Sequence, residues 1–364
     1  MKRRRMFPLF LCFALLLPLA GCSTLLEREY RVETVHSEQN PAGNDSILRA
    51  DSYESMVFAI RQLVGDGAEH GVIRLYNYTG NVGTDLAAAC LEVKQKDPLG
   101  AYAVDYMTHT FTRIVSYFEL DVTIVYRRTP EQIRSIVSAT GSRAVEEVLQ
   151  TALSQFSPSA TLRLSYFKED EDLRGLLEDA YFASPDAAFG MPGCSIALYP
   201  DSGSERIVEL NLTYPDGRQT LLDQKTRLNA SANRLKAEST ADTPKKTAAA
   251  IYSLLARQIS YAGERQGKDT AFDGILNRKA GSCGIALSYK LLCDKAGLPC
   301  TVVRGARNGR PWYWNIVRAD GVSGHVDLAA GISSGAPRFR LSPDRDMEGA
   351  YSWARQNYPV CKAV

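Results

Sequence analysis

Apolar and polar positions follow two different periods along most of this chain, and together they predict a mixed α+β protein. Apolar residues at helical spacing predict helices over 53–64, 143–155 and 247–262. Short segments with an alternating pattern at 73–78 and 162–167 follow the first two of these helices and predict strands. The expected fold class is therefore α+β.

The first half of the chain contains two similar units. The segment 73–78 resembles 162–167, which begins 89 residues later, and the segment 122–126 recurs 88 residues further on. Each unit reads helix–strand–helix–strand–strand. We therefore predict a duplication, with tandem small α+β modules at 51–140 (the first module) and 141–230 (the second module).

Two polar stretches interrupt this pattern. Residues 22–50 include an Asn-Pro-Ala-Gly-Asn-Asp run and predict a tether. Residues 231–246 are rich in serine, threonine and charged side chains and predict a linker. The remaining segment, 247–364, is expected to form a C-terminal domain.

The first 21 residues have the three parts of a secretory signal. Four basic residues are followed by an apolar run over 6–19 and then by Leu19-Ala20-Gly21-Cys22. This last sequence resembles the lipobox of bacterial lipoproteins, which implies that Cys22 carries diacylglycerol and palmitate after cleavage. The alternative is a transmembrane anchor, but the run is shorter than the ~20 residues that a spanning helix needs. We expect a lipid-anchored protein at the extracytoplasmic face of a bacterial membrane, with the membrane as its partner.

Charge and cysteine content narrow the choice of partners and cofactors. Four of the 43 basic residues lie in the signal and none of the 41 acidic ones does, so the rest carries 39 basic against 41 acidic residues. This balance does not favour nucleic acid. The cysteines lack zinc-type spacing, histidine occurs only four times, and no cofactor or metal is implied. Export permits disulfides, with the pairing left open; the candidates are Cys90, Cys194, Cys293, Cys300 and Cys361.

Cys283 is the candidate nucleophile. The sequence Gly281-Ser282-Cys283 precedes an apolar helical pattern, which places the thiol in the first turn of a buried helix. Free N–H groups and the dipole at a helix N-terminus stabilise a thiolate, and the same N–H groups can form an oxyanion hole. The alternative is a small buried cysteine at a tight contact between helix and sheet.

The residues around Cys283 resemble the core of the transglutaminase-like superfamily over about 247–330. The resemblance rests on the spacing from Gly281-Ser282-Cys283 to Gly297-Leu298-Pro299, on the pair Trp314-Asn315, and on the strand that reaches Asp327. It implies a helix carrying the cysteine, packed on an antiparallel sheet, and a papain-like Cys-His-Asp arrangement. Cys283 then corresponds to the nucleophile and Asp327 to the residue that orients the imidazole.

One position departs from this pattern. Active relatives carry histidine two positions before the Trp-Asn pair, where this chain has Trp312. Tryptophan cannot deprotonate the thiol or protonate a leaving amine. His325 lies two residues before Asp327 and is a possible substitute base, although a packing role is the alternative.

Two functions remain open from the sequence. The first is a transglutaminase-like domain without turnover that binds envelope peptides, glycopeptides or proteins. The second is an active cysteine hydrolase or acyltransferase that cleaves peptide or amide bonds with a non-standard base such as His325. The residue at position 312 favours binding.

Overall fold

The computed structural model describes residues 33–34, 47–166, 172–264 and 268–362. The signal segment and Cys22 lie outside these residues. Within them, no helix combines the length and the apolar character needed to cross a membrane. The α+β class is confirmed, since helices and several sheets alternate along the chain.

The first module is a four-stranded sheet covered on one face by helices. A short strand, β1 (Glu33–Thr34), precedes it in the chain. The sheet of the first module has the order β2-β3-β5-β4, in which β2 and β3 are parallel and the other neighbours are antiparallel. Its elements are β2 (Leu48–Ala50), α1 (Tyr53–Gly65), β3 (His70–Tyr76), α2 (Val82–Lys96), α3 (Pro98–Ala103), β4 (Val104–Ile114) and β5 (Tyr117–Tyr126).

The second module has the same strand order, with β1 added at one edge: β1-β6-β7-β9-β8. The equivalent parallel pairs, Leu48 with Ile73 and Val137 with Leu162, are each displaced by 89 residues. A duplication would produce this correspondence, and common ancestry itself stays a prediction. The predicted start of this module at 141 lies too late, because β6 already pairs with β7 of this sheet. The elements are α4 (Pro130–Arg134), β6 (Val137–Ala139), α5 (Ser142–Gln155), β7 (Ser159–Leu164), α6 (Leu173–Ala183), β8 (Gly193–Tyr199) and β9 (Arg206–Thr213).

The C-terminal part surrounds one central helix, α10, which packs on an antiparallel sheet of order β14-β13-β12-β15. This is the arrangement expected for the helix that carries Cys283. The elements are α7 (Arg218–Glu238), α8 (Pro244–Gln258), β10 (Ser260–Tyr261), α9 (Ala271–Ile275), β11 (Lys279–Ala280), α10 (Ser282–Lys295), β12 (Cys300–Arg307), β13 (Arg310–Ala319), β14 (Val322–Val326), α11 (Leu328–Ser333), α12 (Asp344–Met347) and β15 (Tyr351–Trp353).

The predicted linker at 231–246 is wrong over its first half. Residues up to Glu238 belong to α7, whose buried Leu228, Ala232 and Leu235 pack into the core beside α10. Of the polar residues that suggested a linker, Asn233, Arg234 and Glu238 occupy the exposed face of this amphipathic helix, whereas Ser231 is buried with the apolar side chains. One core runs from the second module through α7 to the C-terminal sheet, so no core boundary falls at 231–246.

The predicted tether is also too long. Glu33 and Thr34 pair with Ser138 and Val137 at the edge of the second sheet. Residues 48–50 pair with β3 of the first sheet. Parts of this polar stretch therefore belong to the folded body, because backbone pairing at a sheet edge does not require apolar side chains.

Candidate functional site

Cys283 lies in the first turn of α10, as predicted. Gly281 is the N-cap residue, and the side chains of α10 from Gly284 to Cys293 are all buried. Cys283 itself is partly exposed. The apolar pattern of the helix and the glycine before it were sufficient to predict this position.

The N-terminus of α10 is already occupied by two carboxylates. The N–H groups of Gly281 and Gly284 donate to the two carboxylate oxygens of Asp269, each at 2.9 Å. Glu264 accepts from the N–H of Ser282 at 3.2 Å and from its hydroxyl at 2.7 Å. Three of the four N–H groups that a helix leaves free at its start therefore have partners. Of these four, only the Cys283 N–H keeps no partner among the described residues, so an oxyanion hole at this helix start would depend on that single group.

These carboxylates also oppose ionisation of the cysteine. Burial raises the pKa of the Cys283 thiol well above its ordinary value, and the negative charges of Asp269 and Glu264 raise it further. An opposite arrangement, with a cation or free N–H groups beside the sulfur, would be needed to lower it. The structure thus holds Cys283 as a protonated thiol at neutral pH.

Trp312 occupies the place of the histidine in hydrogen bonding as well as in sequence. Its indole Nε1–H donates to Oδ2 of Asp327 at 2.8 Å. Asp327 also accepts from the Tyr351 hydroxyl at 2.8 Å and, as the N-cap of α11, from the N–H of Ala330 at 2.8 Å. The aspartate therefore orients an indole where active relatives are expected to orient an imidazole. An indole N–H only donates, so Trp312 cannot accept the proton of Cys283.

His325 is engaged elsewhere. Its side chain is 1% exposed. Nδ1 accepts a hydrogen bond from the indole Nε1–H of Trp314, and Nε2 lies 2.9 Å from Oδ1 of Asp344. Burial lowers the pKa of His325 below its ordinary value. Both ring nitrogens are occupied, so His325 is unsuited to act as the base for Cys283, and packing is the role that the geometry favours.

His325, Asp344 and Cys361 have ligand-type atoms within 4.8 Å of one another, which raises the question of a metal site. The residues do not fit one. Trp314 donates to Nδ1, so the neutral ring carries its proton on Nε2 and has no lone pair there for a metal. The Cys361 thiol, whose pKa burial and Asp344 raise to about 12, is likewise protonated. The group instead anchors the C-terminal tail, since Asp344 N–H donates to the Cys361 carbonyl at 2.9 Å.

The cysteines of the described residues are all free thiols. Cys293 and Cys300 are neighbours, joined by a side-chain hydrogen bond, whereas Cys361 lies beside Asp344. Among the three C-terminal cysteines, Cys293 and Cys300 are therefore the two whose side chains interact, and the disulfide pairing stays open. Cys90 is buried in the first module, and Cys194 is partly exposed at the start of β8.

Cys283 faces an open groove of ≈ 440 Å³. The second module provides one wall through α6 and the segment that leads into β8, and the C-terminal domain provides the other. The groove is lined by Arg174, Leu177, Glu178, Tyr181, Phe182, Gly190, Met191, Pro192, Gly193, Cys194, Asp269, Cys283 and Tyr313. Trp312 is not among these lining residues.

The α6 wall is held against the C-terminal sheet by two kinds of contact. Phe182 stacks on Tyr313, with ring centroids 5.6 Å apart. Arg304 of β12 forms ion pairs with Glu178, at 3.2 Å, and with Asp179. Sequence reasoning missed this wall because its residues lie about a hundred positions before Cys283 and carry no local signal of their pairing.

Comparisons with known proteins give only distant structural similarities. No family model matches the chain, and no curated protein matches it. A solved structure described as a TGase aligns with a TM-score of 0.29 and 15% identity, over 50% of this chain and 53% of that one. A proposed cysteine protease from Cytophaga hutchinsonii aligns with a TM-score of 0.25 and 16% identity, over 44% and 70%. A proposed protease from Parabacteroides distasonis aligns with a TM-score of 0.23 and 9% identity, over 70% and 39%.

This chain thus spans about half the length of the TGase chain that it matches. At TM-scores below 0.3, these likenesses support no inference about activity.

Proposed function

We propose that this chain is a transglutaminase-like lipoprotein without turnover, which binds a peptide or glycopeptide of the cell envelope in the groove beside Cys283. The observation that carries the proposal is the hydrogen bond from Trp312 to Asp327. Through this bond the Asp327 carboxylate accepts from an indole, a group that does not act in proton transfer. The residue that would orient a catalytic imidazole is thereby committed to holding an indole.

The surroundings of the thiol support the same conclusion. Covalent catalysis by cysteine needs a thiolate and an acid to protonate the leaving amine. Asp269 and Glu264 disfavour the thiolate, and His325 is hydrogen-bonded to Trp314 and Asp344. Among the described residues around the thiol, neither a base for Cys283 nor an acid for the leaving amine is in place.

The groove itself has the character of a binding site. Ligand sites are concave and mainly apolar, with a few polar groups that fix orientation. The rings of Tyr181, Phe182 and Tyr313 supply flat apolar surface, and Arg174 and Glu178 supply charges of both signs. A peptide or glycopeptide has apolar side chains or sugar faces and ionised groups that suit both features. A lipid at Cys22 would keep the groove at the membrane surface.

One observation favours the alternative function, an active cysteine hydrolase or acyltransferase. Cys283 is partly exposed and lines the groove. A bound substrate would therefore reach the sulfur.

Thiol labelling separates the two functions. The full chain is treated with iodoacetamide across a pH series, and modification at Cys283 is quantified by mass spectrometry, with partly exposed Cys194 as the internal reference. We expect Cys283 to label more slowly than Cys194 at neutral pH and to accelerate only in alkaline solution. Rapid labelling at neutral pH would contradict the proposal and favour the hydrolase.

Binding is tested by calorimetric titration of the full chain with soluble peptidoglycan fragments and with their free stem peptides. Removing a ring of the groove in Tyr313→Ala should weaken binding, whereas the remote variant Phe58→Ala, at an exposed position of α1, should leave it unchanged. Equal affinities for both variants would place the ligand outside the groove.

A further inference from the structure

The outer edge of the first sheet presents a long strand with no neighbour among the described residues. β4 has 11 residues and is the last strand in the order β2-β3-β5-β4. Proteins usually protect such an edge with proline, lysine or a bulge. The segment from Tyr106 to Ile114 contains no proline and no lysine, and the one bulge lies at its base, between Val104 and Tyr106.

The direction of the free backbone groups follows from the neighbouring hydrogen bonds. The N–H of Ile124 in β5 donates towards β3, and that of Arg127 donates towards the β4 side, to Ala103. Since backbone direction alternates along a strand, the odd-numbered residues of β5 face β4. Their partners in β4 are even-numbered, as in Thr110 with Asp121. The N–H and C=O groups that point to the free edge therefore belong to the odd-numbered residues Met107, His109, Phe111 and Arg113.

The side-chain pattern of β4 is nearly palindromic about Thr110. Thr108 and Thr112 flank it at two residues, and Tyr106 and Ile114 lie at four residues. The two outer side chains are large, apolar and exposed, at 49% and 36%. A strand with this pattern is complementary to a second copy of itself in antiparallel orientation, which is the requirement of a two-fold symmetric interface.

We infer that two copies of this chain pair through β4, about a two-fold axis that passes through Thr110. The four outward residues then meet only one another: His109 lies opposite Phe111 of the second copy, and Met107 lies opposite its Arg113. This register satisfies all of their free groups with about eight interchain hydrogen bonds. Tyr106 lies opposite Ile114 of the second copy, and the two four-stranded sheets become one sheet of eight.

Other registers pair the outward-pointing backbone groups of β4 less completely. A shift of the axis to His109 would require Asp105, which lies in the bulge, to pair with Arg113 of the second copy. A register displaced by an odd number of residues would place opposite each other residues whose backbone groups point in different directions. The axis through Thr110 is therefore the register that the backbone and the side-chain pattern both favour.

The register is tested by disulfide cross-linking of the full chain in detergent. Thr110→Cys brings two thiols together on the axis, in a pair without mutual backbone hydrogen bonds, where Cβ atoms lie about 4.5–5.5 Å apart. Thr108→Cys and Thr112→Cys are matched controls on the same strand, because each lies opposite a threonine. After mild oxidation we expect the Thr110→Cys protein to run as a covalent dimer, and both controls and the unmodified chain to remain monomeric. The double variant Thr108→Cys with Thr112→Cys should again give a dimer.

A second measurement does not depend on cysteine geometry. His109→Pro removes an N–H that points outward and leaves the hydrogen bonds to β5 intact, so the protein should sediment as a monomer, while His109→Ala remains a dimer. Equal cross-linking at positions 108, 110 and 112 would overturn the inference. A monomeric unmodified chain, or a Thr110→Cys adduct to a different protein, would also overturn it.

Discussion

At the scale of single residues, Trp312 and Asp327 form a hydrogen bond whose donor, an indole N–H, cannot act as a base. The N–H of Trp312 lies 2.8 Å from the carboxylate oxygen that accepts from it. Arg307 lies over the indole ring, 5.2 Å from its centroid. Asp327 is partly buried and its pKa is raised by burial, so each donor that it retains matters to stability. Trp312 is thus a structural partner of Asp327.

Replacing Trp312 with phenylalanine should reduce the free energy of unfolding. The change removes the N–H that Asp327 accepts and leaves part of a buried carboxylate without its donor, at a cost of about 1–3 kcal/mol. Urea denaturation followed by circular dichroism measures the loss. Trp353→Phe is the matched control, since it removes an indole that packs on Trp314 and His325 without touching Asp327. Equal losses would show that ring packing, and not the hydrogen bond, accounts for the effect.

His325 should make the stability depend on pH. Burial depresses its pKa in the folded protein below the ordinary 6.5, so the unfolded chain binds a proton more readily. Its contribution to the free energy of unfolding is therefore fully present above about pH 6.5 and is lost as the pH falls towards the folded pKa. Denaturation curves across this window should show a slope that is smaller in His325→Gln. A slope unchanged by the substitution would assign the pH dependence to other groups.

At the scale of secondary-structure elements, α10 has unusual capping. Its N-cap is glycine, which offers no side chain, and the missing acceptor comes from Asp269, 12 positions before Gly281. Glu264 adds a second acceptor from the same loop region. Capping stabilises the helix that carries Cys283 and at the same time surrounds the thiol with negative charge. The carboxylates that hold the helix in place are therefore also the groups that raise the pKa of its thiol.

Asp269→Ala should destabilise the protein more than removal of an ordinary cap. It leaves two buried N–H groups without partners, and we expect a loss of about 2 kcal/mol or more in the free energy of unfolding. Thr243→Ala is the comparison, because Thr243 caps α8 through one exposed contact to the N–H of Lys246. Chemical denaturation of both variants measures the difference. Equal losses would mean that water replaces Asp269 at the start of α10.

At the scale of the whole molecule, the cores do not coincide with the modules. The first module has its own core, while the second module and the C-terminal domain share one that runs from Ala139 to Cys361. A smaller cluster with Tyr102, Ala103, Ile136 and Ile207 connects the two modules. The second module therefore acts as part of the groove-bearing unit, although its topology matches that of the first.

This division should appear in unfolding experiments. Leu228→Ala, in α7 of the shared core, should lower the stability of the second module and the C-terminal domain together by about 2–5 kcal/mol. Leu86→Ala should destabilise the first module by a similar amount and leave the shared core protected. Hydrogen exchange followed by mass spectrometry resolves the two regions. Selective deprotection of the C-terminal domain alone in Leu228→Ala would contradict a shared core.

Several features were predictable because they depend on residues that are close in sequence. The apolar period of α10, with glycine before it, placed Cys283 in the first helical turn. Alternating and helical periods identified the repeated α+β units, and the position of Trp312 already argued against a catalytic base. Each of these signals arises from local backbone geometry, which repeats every few residues.

The tertiary structure decided what those residues do. Asp269 and Glu264 carried no sequence signal, because a carboxylate that caps a helix from another loop looks like any polar loop residue until the chain folds. The polar face of α7 was mistaken for a linker, since period alone cannot show that a helix packs on a distant core. The α6 wall of the groove and the engagement of His325 with Trp314 and Asp344 likewise join residues far apart in sequence. Local patterns determined where Cys283 stands, and long-range packing determined that it stands there as a protonated thiol.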